Sequence, residues 1–137
     1  MDKNKFNSSD INDKEIIKQA KYKSSKKLMW YDYLIVLFIP LVYVLITYFI
    51  AKFAMSNDKN YWEYFITLGF AISLIVSIAT GWLRNKQTAS YYNNKTKRYD
   101  STFSEDEGIR RRINKILWLI TLVLLICSII FWIISLV

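Results

Sequence analysis

Residues 64–83 read YFITLGFAISLIVSIATGWL, a run of 20 residues without a charged side chain. At about 1.5 Å per helical residue that length matches the ~30 Å hydrocarbon core of a bilayer, so the run is expected to be a membrane-spanning helix. Within it Gly69, Ser73, Ser77 and Gly81 recur at every fourth position. On a helix that spacing stacks small side chains along one face, where another backbone can approach closely. Lipid provides little hydrophobic force between helices, so close packing and hydroxyl bonds must hold neighbours there.

Two further apolar runs lie on either side. Residues 33–53 form the first, with Pro40 inside it, and residues 116–137 form the last, 22 residues without charge. The expected fold class is therefore all-α, a polytopic membrane protein with three transmembrane helices at 33–53, 62–83 and 116–137. The short segment 54–61, with Asn57, Asp58 and Asn60, has turn chemistry, so the first two spans should form an antiparallel hairpin closed by an external turn. Pro40 removes one backbone bond and should bend its helix, as a static kink or as a hinge.

Charge sets the orientation. Residues 1–32 carry eight Lys and residues 84–115 carry nine Lys or Arg, whereas the turn between the first two spans has only Lys52 and Lys59 near it, offset by Asp58 and Glu63. Basic segments stay on the cytoplasmic side, which places the amino terminus inside a cell membrane and the carboxyl terminus outside. Trp30, Tyr31 and Tyr33 mark the inner interface, and Trp62 and Tyr64 the outer one. The net charge of +8 is thus explained by topology and by contact with lipid headgroups, not by specific nucleic-acid binding, for which no recognised module is present.

The polar segments are expected to be largely helical. Residues 1–11 form a basic, disordered start. A helix over 12–32 opens at an Asn12/Glu15 capping box with Ile11 and Ile16 as its hydrophobic staple, and runs without a break into the first span. Asp32 should face Lys26 or Lys27. Residues 84–103 continue the second span as a cytoplasmic extension whose Ala89, Tyr92, Thr96, Tyr99 and Phe103 follow a 3-4 spacing. That stripe is expected to cover the weaker one formed by Ile17, Ala20, Ser24, Leu28 and Tyr31. Ser104 and Glu107 make a second capping box, so residues 104–115 begin the helix of the last span.

Little in the chain suggests chemistry. There is no His, and Cys127 is the single Cys, which removes the usual zinc ligands, any disulfide pair and the commonest general base. Neither a phosphate loop, a nucleotide fingerprint nor paired carboxylates occur. We therefore expect no enzyme, no cofactor and no metal site. Apart from Lys52 and Glu63 at the outer ends, no charged residue lies inside a span, unlike ion-coupled pumps. What remains polar in the membrane is hydroxyl: Ser73, Ser77 and Thr80 on the second span, and Thr121, Ser128 and Ser135 at steps of seven on the third. They can bond between helices, or they can line a pore, which three spans alone cannot enclose and several copies would have to build.

The segments QAKYKSSKKL at 19–28 and NKQTASYYNNKTKRYDSTF at 85–103, on either side of two spans, resemble the SLATT-type and four-span pore-forming membrane effectors of bacterial conflict systems. Tyr22 and Lys26, then Ala89, Tyr99 and Asp100, fall on that pattern's small, aromatic and acidic positions across residues 15–104. The chain departs from it in carrying a third span and no fourth. The resemblance implies a protein that disrupts membrane integrity when a partner signals, a pore of three-span chains would be a homo-oligomer, and the abundance of Lys, Asn and Ile fits an AT-rich bacterial genome. From the residues alone a different class is equally open: a binding protein, such as a bacteriocin immunity factor or an accessory subunit of a membrane complex. A lipid-enzyme subunit that supplies no catalytic residue is a third option.

Overall fold

The computed structural model describes residues 6–54, 59–93 and 105–137. They form four helices in chain order: α1, Phe6–Lys26; α2, Trp30–Ala54; α3, Lys59–Asn93; and α4, Glu105–Leu136. Among the described residues there is no strand. The last three helices are each long and apolar enough to cross a membrane. Only 17%, 17% and 22% of their most apolar windows is buried, so most of the apolar surface points outward. Leu37, Phe38 and Phe53 of α2 are 65%, 65% and 78% exposed. A helix apolar on every side is one whose surroundings are themselves apolar.

The chain divides into two compact units. The larger comprises residues 29–81 and 114–137, that is α2, the first part of α3 and most of α4. Its core is Val36, Ile120 and Leu124, with Tyr43, Phe70, Ile116, Leu119 and Val123 packed against them. Ile66 and Pro40 are also fully buried. Helix α2 continues through Pro40, whose missing N–H leaves the Val36 carbonyl without its helical partner.

At the start of α2 the structure departs from the sequence expectation. The chain breaks between Lys26 and Trp30, where an uninterrupted helix was expected. Asp32 causes the break. One carboxylate oxygen accepts the Met29 N–H at 2.7 Å while the Asp32 N–H donates to the Met29 carbonyl at 3.0 Å. This is the reach-back half of a capping box, with Met29 in the place where Ser or Thr is usual. Asp32 is 2% exposed, and its bond to the Met29 N–H holds it at the start of α2.

The smaller unit comprises residues up to 28 together with 82–113. Helix α1 starts at Phe6 and not at the Asn12 cap. A local capping motif is worth about 1 kcal/mol, too little to stop a helix where no Gly or Pro interrupts it. Helix α4 begins at Glu105 with Glu105, Asp106 and Glu107 in its first turn, where carboxylates complement the positive end of the helix dipole.

The surfaces that hold this unit together also differ from the expected stripes. Ile17, Ala20 and Ser24 are exposed, and so is Ala89. The side chain of Tyr92, and all of Thr96, Tyr99 and Phe103, lie outside the described residues. The part of α1 that packs is Tyr22, 6% exposed, together with Ser25. Gly108 of α4 sits against them, and a Cβ there would collide with Ser25 Oγ and lie 3.0 Å from the Tyr22 carbonyl. The Tyr22 ring is met by Arg111 of α4 at 5.6 Å and by Lys26 at 5.7 Å. Arg111 also pairs with Glu107 at 2.9 Å, and Arg110 donates to Gln87 of α3.

Candidate functional site: the hydroxyl seam between α3 and α4

A helix advances about 100° per residue, so each four-residue step rotates the next small side chain by about 40°. Across Gly69, Ser73, Ser77 and Gly81 the face turns by about 120°. The row therefore changes neighbour along its length. Gly69 meets Tyr43 of α2, Ser73 and Ser77 meet Thr121 of α4, and Gly81 meets Asn114 of α4. The approach is closest at Gly69, where an added Cβ would stand 2.6 Å from Tyr43 Oη. That phenol donates to the Phe65 carbonyl at 2.7 Å. At Gly81 the same test finds Asn114 at an ordinary 3.8 Å.

Seven-residue steps behave differently, drifting only about 20° each. Asn114, Thr121 and Ser128 therefore stay on one side of α4 and face α3 in three layers. Thr80 Oγ1, whose hydrogen goes to the Val76 carbonyl of its own helix at 2.9 Å, lies 3.3 Å from the Asn114 side-chain amide. Thr121 Oγ1 lies 2.7 Å from Ser73 Oγ and 3.0 Å from Ser77 Oγ. Thr67 Oγ1 lies 3.1 Å from Ser128 Oγ and accepts Trp132 Nε1–H at 2.9 Å. Residue numbers rise on one helix as they fall on the other. Ser135, one further step along, is exposed, because the α3 residue that would oppose it lies at the very start of that helix.

Counting protons assigns the donors. Thr121 has one hydroxyl hydrogen and gives it to the Leu117 carbonyl of its own helix at 2.9 Å. Its two lone pairs then receive Ser73 and Ser77, which must both donate. Thr67 repeats the arrangement: it donates to the Glu63 carbonyl at 2.9 Å and accepts from Trp132 and Ser128. Thr47 of α2 donates to the Val44 carbonyl and accepts Trp62 Nε1–H at 3.2 Å. Each threonine thus turns a bond to its own helix into an anchor for the next one. Among the described residues no buried side-chain N or O lacks a partner.

Of the two uses open to these hydroxyls, bonding between helices or lining a pore built from several copies, the structure shows the first within one chain: Thr121 and Ser128 of α4 meet hydroxyls of α3. Thr67, Asn114, Tyr43, Trp62 and Trp132 were missed, although Asn114 continues the seven-residue series one step upstream and could have been found by it. Aromatic rings close the end of the bundle near the 54–61 connection: Trp62 lies 4.4 Å from Phe131 and 5.3 Å from Tyr48, and Tyr64 lies 6.1 Å from Trp132.

Removing the central acceptor should weaken the seam measurably. Thr121→Val leaves Ser73 and Ser77 without their shared acceptor but allows each to turn back to its own helix. The expected loss is about 0.6 kcal/mol and at most about 1.7, the average and the maximum found for interhelical bonds in lipid, read as a shift in the unfolding midpoint in mixed micelles. A Ser73→Ala/Ser77→Ala variant should be nearly insensitive to the same change.

Among the described residues no group of three His, Cys, Asp or Glu side chains could hold a metal ion. Comparison with protein-family models, curated proteins and solved structures gives no match.

Proposed function

We propose that this chain is a three-span protein of the bacterial cell membrane that acts on the bilayer as an assembly of several copies, as a membrane-disrupting effector and not as an enzyme. In this reading α2 and α3 are the antiparallel transmembrane hairpin, α4 is the third span, the basic flanks are cytoplasmic and residue 137 is external. One observation carries it: the helical unit directs its polar groups inward, where each has a partner, and its large apolar side chains outward. Such a protomer is complete in lipid. Three spans are too few to enclose a channel, so in this reading permeability requires contacts between copies. The resemblance of residues 15–104 to SLATT-type effectors supplies the direction of the activity, and a partner's signal would set its timing.

A second reading rests on the same hydrogen bonds. Because Ser73, Ser77, Thr121 and Ser128 are already bonded within one chain, none is free to line a channel unless α3 and α4 part. That favours a protein which works by binding a membrane partner, such as an immunity factor or accessory subunit.

Reconstitution into dye-loaded liposomes separates them. An effector is expected to release a small dye with a dependence on protein-to-lipid ratio steeper than linear, and its overexpression should slow growth. Tight vesicles at every ratio and with every candidate partner, combined with a partner that copurifies in mild detergent, would overturn the effector reading.

A further inference from the structure

We propose that the outward face of α1 binds an anionic lipid surface. This rests on the reading that α2 spans a membrane. Taking Tyr22 as the packed direction, Ile16, Ala20 and Ile17 lie about 120–220° away around the helix. Ile16 and Ile17 are 59% and 55% exposed. Lys23 borders this strip on one side and Lys14 and Lys21 on the other, and Lys27 follows the end of the helix, all exposed. Asp13 is the acidic residue on the strip, and Glu15 lies toward the Tyr22 side. A narrow apolar strip flanked by lysines on both sides is the pattern of a helix that rests in the headgroup layer, its methyls inserted shallowly and its ammonium groups reaching the phosphates.

Tethering and size select lipid over a protein partner. Residues 27–29 join α1 to α2, and three residues reach at most about 10 Å. A spanning α2 therefore holds the C-terminal end of α1 beside the leaflet at high effective concentration. Two isoleucines and an alanine are far smaller than the ~800 Å² that each side of a stable protein interface buries. They suffice for shallow insertion, with each lysine adding about fivefold from anionic headgroups.

The test uses the full chain with Cys127→Ser and a nitroxide placed on Ala20→Cys, reconstituted in phosphatidylcholine vesicles with or without phosphatidylglycerol. A second label on Phe38→Cys, outward on α2, reports whether the span is in lipid. The Ala20 label should lose accessibility to a neutral aqueous relaxation agent severalfold when phosphatidylglycerol is present. High salt, or Gln at positions 14, 21, 23 and 27, should restore it. An Ala20 label that stays aqueous in both vesicles while the Phe38 label is immersed overturns this proposal alone. If the Phe38 label is aqueous too, the spanning reading fails and this proposal with it. Protection seen in native membranes but never in protein-free lipid would assign the face to an acidic protein and likewise overturn it.

Discussion

Gly69→Ala is expected to destabilise the helical bundle by about 1–3 kcal/mol, the usual cost of forcing volume into a packed site. Alanine is the better helix former by about 1 kcal/mol, so any loss must come from tertiary contact. The added methyl would lie within 2.6 Å of the Tyr43 hydroxyl and 2.5 Å of the ring carbon that bears it. Tyr43 cannot swing away freely, because its hydroxyl is bonded to the Phe65 carbonyl and its ring packs on the Val36, Ile120 and Leu124 core. Gly81→Ala serves as the contrast. Its new methyl meets Asn114 at ordinary contact distance, so that variant should be neutral or gain a few tenths of a kcal/mol. Unfolding midpoints in mixed micelles would measure both. Introducing Gly69→Ala into a Tyr43→Ala background should cost almost nothing. An equal cost in both backgrounds would show that the α2–α3 approach at Gly69 is not what the glycine serves.

The two glycines show where sequence reasoning succeeds and where it stops. Uncharged runs of spanning length identify α2, α3 and α4 without structural help, because hydropathy summed over twenty residues exceeds any local preference. The four-residue row of small side chains also marks a packing face. It does not say how many neighbours share that face, since the 40° drift per step becomes visible only when helices are placed beside it. Seven-residue spacing is steadier, and Asn114 could have been read as its first member. Ser135 could not have been excluded in advance, because its exposure depends on where α3 begins. The cap at Met29 and Asp32 was illegible for a simpler reason: its first residue lacks the hydroxyl by which such caps are recognised. Gly108 was equally silent, one glycine near the start of a helix whose partner, the Tyr22 turn of α1, is more than eighty residues away in sequence.

That glycine leads to the second large effect. Gly108→Ala should release α1 from α4 while leaving the bundle of residues 29–81 and 114–137 intact. The methyl would collide with Ser25 Oγ, and it would also stand 3.0 Å from Ser25 Cβ and from the Tyr22 carbonyl. Serine has no long side chain to bend aside, and a helix carbonyl moves only with its helix. Ser25 Oγ is in addition bonded to the Tyr22 carbonyl at 3.0 Å, which limits its rotation. Relief therefore requires α1 to withdraw, and withdrawal separates Tyr22 from Arg111. A cation over an aromatic ring is worth about 0.5–1 kcal/mol where partly exposed, too little to hold the helix against the clash. Amide exchange across residues 13–26 should accelerate by about tenfold to a hundredfold, equivalent to 1.4–2.8 kcal/mol of lost docking, with exchange in the spans unchanged. Ser25→Gly should restore protection in the Gly108→Ala background by removing both the Oγ and the Cβ. Arg111→Ala alone should give a smaller acceleration, because it removes the cation and leaves the glycine contact. If Gly108→Ala leaves exchange in α1 at its original rate, the helix is held by something other than the Tyr22–Ser25 turn.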